Sequence, residues 1–186
     1  EKFENDTRIR YIYSEKNGGF GYGNNIGIVV AKGDYLFLLN SDTLLLNNAI
    51  GEFFKYAKLH NPKTIYGCYL QGHDGSYRNS FFFFPAFTIK DFFKRIVKSH
   101  NYQPDYTNRE VECICGADMF IPRQAIEEAG VFDDNIFLYG EEGELQYRMM
   151  KKGYRRMLIN SPQIVHLEGE SSGNTARHKY GMKSHL

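Results

Sequence analysis

Two polar residues that could bind a cation directly follow an apolar run. In LFLLNSDTLL, which spans Leu36–Leu45, Asn40 and Asp42 come just after the predicted strand Asp34–Leu39. Side chains two residues apart in an extended segment point the same way, and their oxygens suit a hard divalent cation. Ligands of open α/β sheets bind beyond the carboxyl ends of strands. The same residues are also typical of an Asx turn, and both interpretations stay open at this point.

Three glutamates begin a predicted helix in the last third of the chain. In YGEEGEL, Glu141, Glu142 and Glu144 open a helix that is predicted to end at Lys152. Acidic residues in a first turn stabilise a helix through its dipole, which explains them without any function. Gly143 in the same turn lowers helix stability, however, and such a local departure is typical of functional positions. One of these carboxylates could therefore be a general base.

Two further segments have both a functional and a structural interpretation. His166 ends a short predicted strand in IVHLEGESS, where it could complete a metal site or be a structural or solvated side chain. The glycine-rich segment EKNGGFGYGNN fits neither the dinucleotide fingerprint nor the phosphate-binding loop, since its spacing differs and no Gly-Lys-Ser/Thr follows. Its glycines could let the backbone approach a ligand closely, or form a flexible turn before a helix.

Composition excludes several classes of protein. Of 186 residues, 42% are hydrophobic and 24% are charged, as in ordinary globular proteins. The net charge of +1 argues against nucleic acid as a partner, and no apolar run reaches the roughly 20 residues of a membrane span. Cys113 and Cys115 lack a second pair at zinc spacing and are predicted to be buried in a strand. Three cysteines, an odd number, are read as reduced thiols, which favours a cytoplasmic location.

The elements that would position these side chains alternate between strands and helices. Strands are predicted at Arg8–Tyr13, Asp34–Leu39, Thr64–Leu70, Tyr77–Phe84, Val111–Ile121, Arg155–Ile159 and Gln163–Leu167. Helices are predicted at Asn25–Lys32, from Asn47 to before Pro62 with Ile50, Phe53, Phe54 and Ala57 buried, at Thr88–Lys98, from Pro122 to Gly130, and at Glu141–Lys152. A hairpin turn is predicted at His73–Ser76, and a loop that could cover a site at Asn101–Arg109. This order predicts one α/β domain over residues 1–186, a three-layer α/β/α sandwich with a mostly parallel central sheet.

The signals occur together in an order that resembles a known family. The chain is similar to inverting nucleotide-sugar glycosyltransferases with the GT-A fold, glycosyltransferase family two, and most of all to their rhamnosyl- and galactofuranosyltransferase-like branch. The matching segments are NGGFGYGNNIGIVVAKGDYLFLLNSDT, CGADMFIPRQAIEEAGVFDDNIFLYGEEGELQYRMMKKGY and IVHLEGESS. The resemblance implies a GT-A-like fold and metal-dependent, inverting sugar transfer from a UDP- or dTDP-sugar to a glycan or lipid-linked acceptor in bacterial surface-polysaccharide synthesis.

The resemblance also implies roles for individual residues. Asn40 and Asp42 fall on a D-x-D-like motif that binds Mg²⁺ or Mn²⁺, and His166 falls where related enzymes complete the metal site. Glu142 falls on the catalytic base, although the family has aspartate there. A carboxylate base suits an attacking hydroxyl, and a divalent cation suits a leaving diphosphate. The expected substrate contacts are Gly18, Gly19 and Asn25 beside the nucleotide, Gly116 and Asp118 near the sugar and acceptor, and Glu141 and Glu144, which are also the alternative bases.

The two ends of the chain carry expectations of their own. The resemblance predicts that the family's first strand–helix unit is absent and that the chain stops short of the family's usual end. A chain that truly began at Glu1 would have an open sheet edge, which favours a homo-oligomer. The tail carries Arg177, Lys179 and Lys183, which could contact the inner face of a membrane that holds a lipid-linked acceptor, or could simply be solvated.

Two other functions compete with sugar transfer. The glutamates at family aspartate positions and the absent first unit are compatible with a non-catalytic or truncated GT-A module that binds nucleotide or serves in assembly. A nucleotidyltransferase on a similar sheet is disfavoured, because no glycine- and Lys/Arg-rich activation loop occurs near the start.

Overall fold

A computed structural model of the chain describes residues 5–84 and 104–167. Its helices are α1 Gly19–Val30, α2 Ala49–Leu59, α3 Arg123–Ala129 and α4 Glu141–Lys151. Its strands are β1 Tyr35–Leu39, β2 Thr43–Leu45, β3 Thr64–Cys68, β4 Phe81–Phe82, β5 Arg109–Glu110, β6 Cys113–Ile114, β7 Asp118–Pro122, β8 Arg155–Ile159 and β9 Ile164–His166. The predicted helix Thr88–Lys98 and the basic tail lie outside the described residues.

The main sheet has five strands in the order β1-β7-β3-β8-β5. Among the neighbouring pairs of this sheet, only β3 with β8 is parallel. The pairs β1 with β7, β3 with β7 and β5 with β8 are all antiparallel. The α/β class is therefore confirmed, but the prediction of a mostly parallel sheet is wrong for the described strands. The reason is that β7 enters between β1 and β3 in the opposite direction, which hydrophobic periodicity does not reveal.

Both faces of this sheet are covered by helices. Because side chains alternate along a strand, each central strand contributes to two separate cores. One core holds Leu36, Ile65 and Met119 together with residues of α1, α3 and α4. The other holds Tyr66 and Phe120 together with residues of α2. The predicted three-layer arrangement is confirmed in the described residues, and no helix among them is long and apolar enough to cross a membrane.

Several predicted elements differ from the observed ones. The predicted strand Arg8–Tyr13 is wrong: residues 9–14 have no regular structure and Tyr11 is 84% exposed, because no described strand pairs with their backbone. The prediction that Ile50 and Phe54 are buried is also wrong, since both are exposed and α2 turns Ala49, Phe53 and Ala57 inward. The predicted strand Val111–Ile121 is instead two strands, β6 and β7, with half-buried Cys115 between them.

The glycine-rich segment is a helix, not a loop. α1 begins at Gly19, within EKNGGFGYGNN, and ends at Val30, whereas the predicted helix was Asn25–Lys32. Tertiary packing outweighs the low helix propensity of its glycines. Gly21 lies against Phe132, where an added Cβ would be 2.9 Å from the Phe132 Cβ, and the Phe20 and Phe132 rings meet edge to face at 5.8 Å.

Gly19 has a backbone conformation that only glycine adopts without strain. Its φ is +89°, and a Cβ there would overlap the carbonyl oxygen of Phe137. We expect Gly19→Ala to lower the free energy of unfolding by about 2–4 kcal/mol, because strain and overpacking add. Gly23→Ala is the matched control in the same helix: its Cβ would meet no atom within 4 Å, so stability should be unchanged or higher. Chemical denaturation of both variants measures the difference, and equal stabilities would contradict the packing described here.

Candidate functional site

Two of the three predicted metal ligands, Asp42 and His166, come together beyond the end of β1. Asn40 follows that strand and its backbone N–H donates to the Ala117 carbonyl at 3.0 Å. β2 then pairs antiparallel with β9, with Thr43 opposite His166. This pairing brings Asp42 Oδ1 to 3.4 Å from His166 Nε2, although the two residues are far apart in the sequence.

The Asp42 and His166 pair fits a divalent cation. The Asp42 side chain is 13% exposed and that of His166 is 11% exposed, so an oxygen donor and a nitrogen donor lie just below the surface. Adjacent ligands of an octahedral ion with bonds of about 2.1 Å lie about 3 Å apart, close to the observed separation. Within the described residues, no three His, Cys, Asp or Glu side chains form a metal-binding group. A metal would therefore be held by these two groups, with Asn40 beside them and substrate oxygens completing the shell.

Glu141, which is buried, and Glu142, which is half-buried, place two carboxyl groups side by side at the start of α4. Glu141 is 2% exposed, and neither its Oε2 nor that of Glu142 has a hydrogen-bond partner among the described residues. Burial first, and then the neighbouring Glu142, raises the pKa of Glu141 to about 7. Burial likewise raises the pKa of Glu142 above its ordinary 4.5. Two adjacent carboxyl groups with raised pKa values are typical of acid–base sites.

The turn before this pair is strained. Tyr139 has φ of 69° and Gly140 has φ of 107°, both in the left-handed region. For a tyrosine this conformation is unfavourable and is retained only where surrounding structure enforces it. Strain of this kind occurs most often at functional sites, and here it sets the direction in which Glu141 and Glu142 enter the helix.

Gly116 and Ala117 connect the two parts of the site. A Cβ on Gly116 would lie 3.1 Å from Phe20 Cζ and 3.7 Å from Glu142 Oε1, so Gly116 lies beside the Glu142 carboxylate. The next residue, Ala117, accepts the hydrogen bond from Asn40. The predicted contact Gly116 is thus next to the predicted base, and one short segment links Glu142 to the end of β1.

Gln146 is a positioning residue that the sequence did not single out. Its Oε1 accepts from the Ile114 N–H and its Nε2 donates to the Ile114 carbonyl, each at 2.8 Å, so the side chain pairs with β6 as a strand would. It is fully buried, one turn after Glu142, and it fixes α4 against the segment that leads to Gly116. The only feature of the sequence that could have indicated this role is the position of Gln146 between Leu145 and Met149, which both face inward.

The predicted nucleotide contacts near α1 have mainly structural partners. Asn25 is buried; its Nδ2 donates to the Phe132 carbonyl and to Asp134, and its Oδ1 accepts from the Phe132 N–H. Gly18 caps α1, and its lack of a side chain makes room for the ring of Tyr22. Gly19 and Asn25 therefore fix α1 against the segment that precedes α4, whereas Gly18 packs on α1 itself.

Glu144 points away from the carboxyl pair. Its carboxylate accepts two hydrogen bonds from Arg148, at 2.6 and 2.7 Å, and Arg148 also donates to the carbonyl groups of Ala129 and Val131. The side chain predicted as a substrate contact and an alternative base is thus engaged in joining α4 to the end of α3.

Asp118 lies inside the sheet and not on the surface of the site. Its side chain is fully buried and its Oδ2 accepts a hydrogen bond of 2.6 Å from the Cys68 N–H. At the end of β3 the Cys68 N–H thus donates to the Asp118 carboxyl group and not to a backbone carbonyl of β7. Burial raises the pKa of Asp118 to about 8, so the folded protein carries it protonated at neutral pH.

We expect this proton to make stability depend on pH. The folded state keeps the proton that unfolded Asp118 loses near its ordinary pKa of 3.8, so the free energy of unfolding falls as pH rises from about 4 to about 8. Asp118→Asn keeps the acceptor for Cys68 and removes the titration. Denaturation at several pH values should show a shallower fall for the variant, with the remainder due to Glu141 and Glu142. An unchanged slope would contradict a buried, protonated Asp118.

Sequence comparison gives a family and several relatives. Residues 1–130 match the family model described as "Glycosyl transferase family 2". The glycosyltransferase GlyG of Streptococcus pneumoniae serotype 4 is 31% identical over 78 residues, which are 42% of this chain and 26% of that protein. An N-acetylglucosaminyl-diphospho-decaprenol L-rhamnosyltransferase of Mycobacterium tuberculosis is 28% identical over 67 residues, 36% of this chain and 22% of that protein. The chain spans about a quarter of the length of these relatives.

Comparison of structures gives the fold. The crystal structure of GalNAc-T7 with UDP, GalNAc and Mn²⁺ has a TM-score of 0.60 to this chain and covers 84% of it, with 32% of the GalNAc-T7 chain matched. At 16% sequence identity the likeness concerns the fold alone. The predicted GT-A-like fold is thereby confirmed.

Proposed function

Because the chain belongs to glycosyl transferase family 2, we propose that it transfers a sugar from a UDP- or dTDP-sugar to a hydroxyl group of a glycan or lipid-linked acceptor. The observation that carries this proposal is the pair Glu141 and Glu142, each with a buried carboxylate oxygen that has no partner among the described residues. Such oxygens are unfavourable in a folded protein unless a ligand uses them. The metal-ligand pair at the end of β1, joined to Glu142 through Gly116 and Ala117, adds support.

Glu142 is the general base in this proposal. An acceptor hydroxyl must lose its proton as it attacks the anomeric carbon, and a carboxylate within hydrogen-bond reach accepts that proton. A raised pKa brings the base closer to the operating pH and makes it a stronger proton acceptor. The charge of Glu142 in turn raises the pKa of the neighbouring Glu141, because both groups cannot easily be charged in one buried site. Attack opposite the leaving group inverts the anomeric configuration in one displacement.

Asp42 and His166, with Asn40 beside them, hold Mg²⁺ or Mn²⁺ in this proposal. When bound, the cation stabilises the charge that develops on the leaving diphosphate. The protein contributes a fixed pair of donors whose geometry the β2–β9 pairing sets before substrate arrives. Gly116, without a side chain, leaves space beside Glu142 for the reacting groups.

We infer a role in cell-surface polysaccharide synthesis from the kind of relatives that the chain resembles. The rhamnosyltransferase among them has a diphosphate-linked lipid acceptor in its name. The buried thiols of Cys68 and Cys113 suit a reducing compartment, which supports a reaction in the cytoplasm with a lipid-linked acceptor at the inner face of the membrane.

A second candidate function is nucleotide binding without catalysis. Glutamates stand at both family aspartate positions of the α4 motif, and Glu144 is engaged by Arg148. Titration of UDP and dTDP with and without Mn²⁺, combined with a transfer assay, separates the two. Metal-dependent binding with turnover supports the transferase, binding without turnover supports the binding module, and absence of both contradicts the family role.

A further inference from the structure

Arg78 is a cationic side chain without an explained role. It belongs to the hairpin between β3 and β4, is 37% exposed, and its only ion pair within the described residues is a contact of 3.8 Å from its Nη2 to Asp74. Its Nε is buried, and none of the described residues accepts a hydrogen bond from it. A buried guanidinium nitrogen without an acceptor is unfavourable unless a ligand supplies one.

A glycine allows the guanidinium to lie where it does. A Cβ on Gly72 would be 2.6 Å from both Nε and Nη2 of Arg78 and 2.7 Å from its Cζ. The guanidinium therefore occupies the place where a side chain of residue 72 would begin. Any other residue at position 72 would displace it.

The sheet register places this guanidinium next to His166. Gln71 is bridged to Val165 on one side and to Tyr77 on the other. Directly adjacent residues of neighbouring strands point to the same face, so Gly72 neighbours His166, and Leu70 neighbours Arg78. The hydrophobic packing agrees, because Leu70 and Ile164 lie in the core under α2.

Neighbouring strands are about 4.8 Å apart, so the guanidinium over Gly72 lies roughly one strand spacing from the position of the His166 side chain. His166 in turn contacts Asp42. A guanidinium presents a planar set of donors that suits phosphate oxygens, and a divalent cation beside it binds the same kind of group. With a cation held by Asp42 and His166, Arg78 would supply the second of two positive centres for one anion.

We propose that Arg78 binds a diphosphate at the metal side of the site, an assignment that rests on the proposed function for the identity of its ligand. The diphosphate belongs either to the nucleotide-sugar donor or to a lipid-linked acceptor, since both carry the same chemistry. Gly72 is the positioning residue that keeps the guanidinium over the β9 edge. Asp74 holds the outer edge of the guanidinium and leaves Nε directed inward.

The test uses isothermal titration of the purified protein with four probes in the presence of Mn²⁺: UDP, dTDP, inorganic pyrophosphate and uridine. A transfer assay adds the KM for an acceptor with and without a diphosphate. Arg78→Gln is expected to weaken UDP and pyrophosphate about tenfold to a hundredfold and to leave uridine unchanged. Gly72→Ala should weaken the same two probes while Arg78 remains, and Arg78→Lys should retain part of the affinity. Arg155→Gln is the control, because Arg155 is already paired with Glu110 at the opposite end of β8. Thermal unfolding verifies that each variant is folded.

The outcomes separate the alternatives. Weakened UDP binding assigns Arg78 to the donor. If UDP affinity is unchanged and the KM rises only for an acceptor that carries a diphosphate, and not for the same acceptor without it, Arg78 belongs to the acceptor. Unchanged affinity and KM in Arg78→Gln overturn the assignment. The wild type could instead bind pyrophosphate, dependent on Arg78, without binding UDP or dTDP. That result would contradict the proposed function but support the diphosphate site. A wild type that binds none of the probes overturns both.

Discussion

Replacement of Glu142 by glutamine is expected to lower the rate of sugar transfer by about a hundredfold to ten-thousandfold, the usual contribution of a general base. Glutamine keeps the size of the side chain and cannot accept the acceptor's proton. Because the substitution leaves the β1 end of the site intact, the affinity for UDP or dTDP with Mn²⁺ should stay close to that of the wild type. Steady-state transfer from a labelled nucleotide sugar measures kcat, and titration measures the affinity.

The pH profile gives a second test of the same base. Glu142 must be unprotonated to act, and burial raises its pKa above the ordinary 4.5, so kcat/KM of the wild type should increase with pH through a pKa above that value. Glu144→Gln tests the alternative base and should retain most of the activity, because Arg148 already engages Glu144. A profound loss in Glu144→Gln with full activity in Glu142→Gln would contradict the assignment.

Replacement of Asp42 by alanine is expected to weaken metal-dependent nucleotide binding by about a hundredfold or more. Changes in groups that only support a metal ligand typically reduce affinity about tenfold to a hundredfold, and loss of a direct ligand should have at least that effect. His166→Ala should act in the same direction, since it removes the other member of the pair. Titration of UDP at several Mn²⁺ concentrations gives both apparent constants.

Glu128→Gln is the control for the metal site. Glu128 pairs with Lys63 near the opposite end of the sheet, so its loss removes a carboxylate without touching the β1 end. If Mn²⁺ strengthens nucleotide binding by the same factor in Asp42→Ala as in the wild type, the metal does not bind at Asp42.

Local signals in the sequence predicted the parts of the fold that local chemistry determines. α3 begins after Pro122 and ends at Gly130, whose φ is +84°, as the proline and glycine signals indicate. The acidic first turn and basic last turn of α4 likewise located that helix. β1 and the polar residues after it were predicted because a strand and its end have a recognisable pattern.

The errors arose where distant contacts decide the structure. α1 begins among glycines because Phe132 and Phe137 pack against it, and those residues are more than a hundred positions away. The direction of β7 between β1 and β3 depends on topology and not on periodicity.

The same limit applies to the site. Asn40, Asp42, His166 and Glu142 could be proposed from motif resemblance, whereas the roles of Asn25 and Asp118 in the fold required the observed hydrogen bonds. Gln146 and Arg78 carry no motif, and only their partners in space single them out.

The most direct test of the central claim is nucleotide release from UDP- and dTDP-sugars in the presence of acceptor, compared between the wild type and Glu142→Gln with Mn²⁺ and with EDTA. We predict acceptor-dependent release by the wild type with Mn²⁺, its loss in EDTA, and a rate at least about a hundredfold lower in the variant despite retained nucleotide binding. Equal rates in the wild type and the variant, or release that EDTA does not affect, would contradict a metal-dependent transferase with Glu142 as its base.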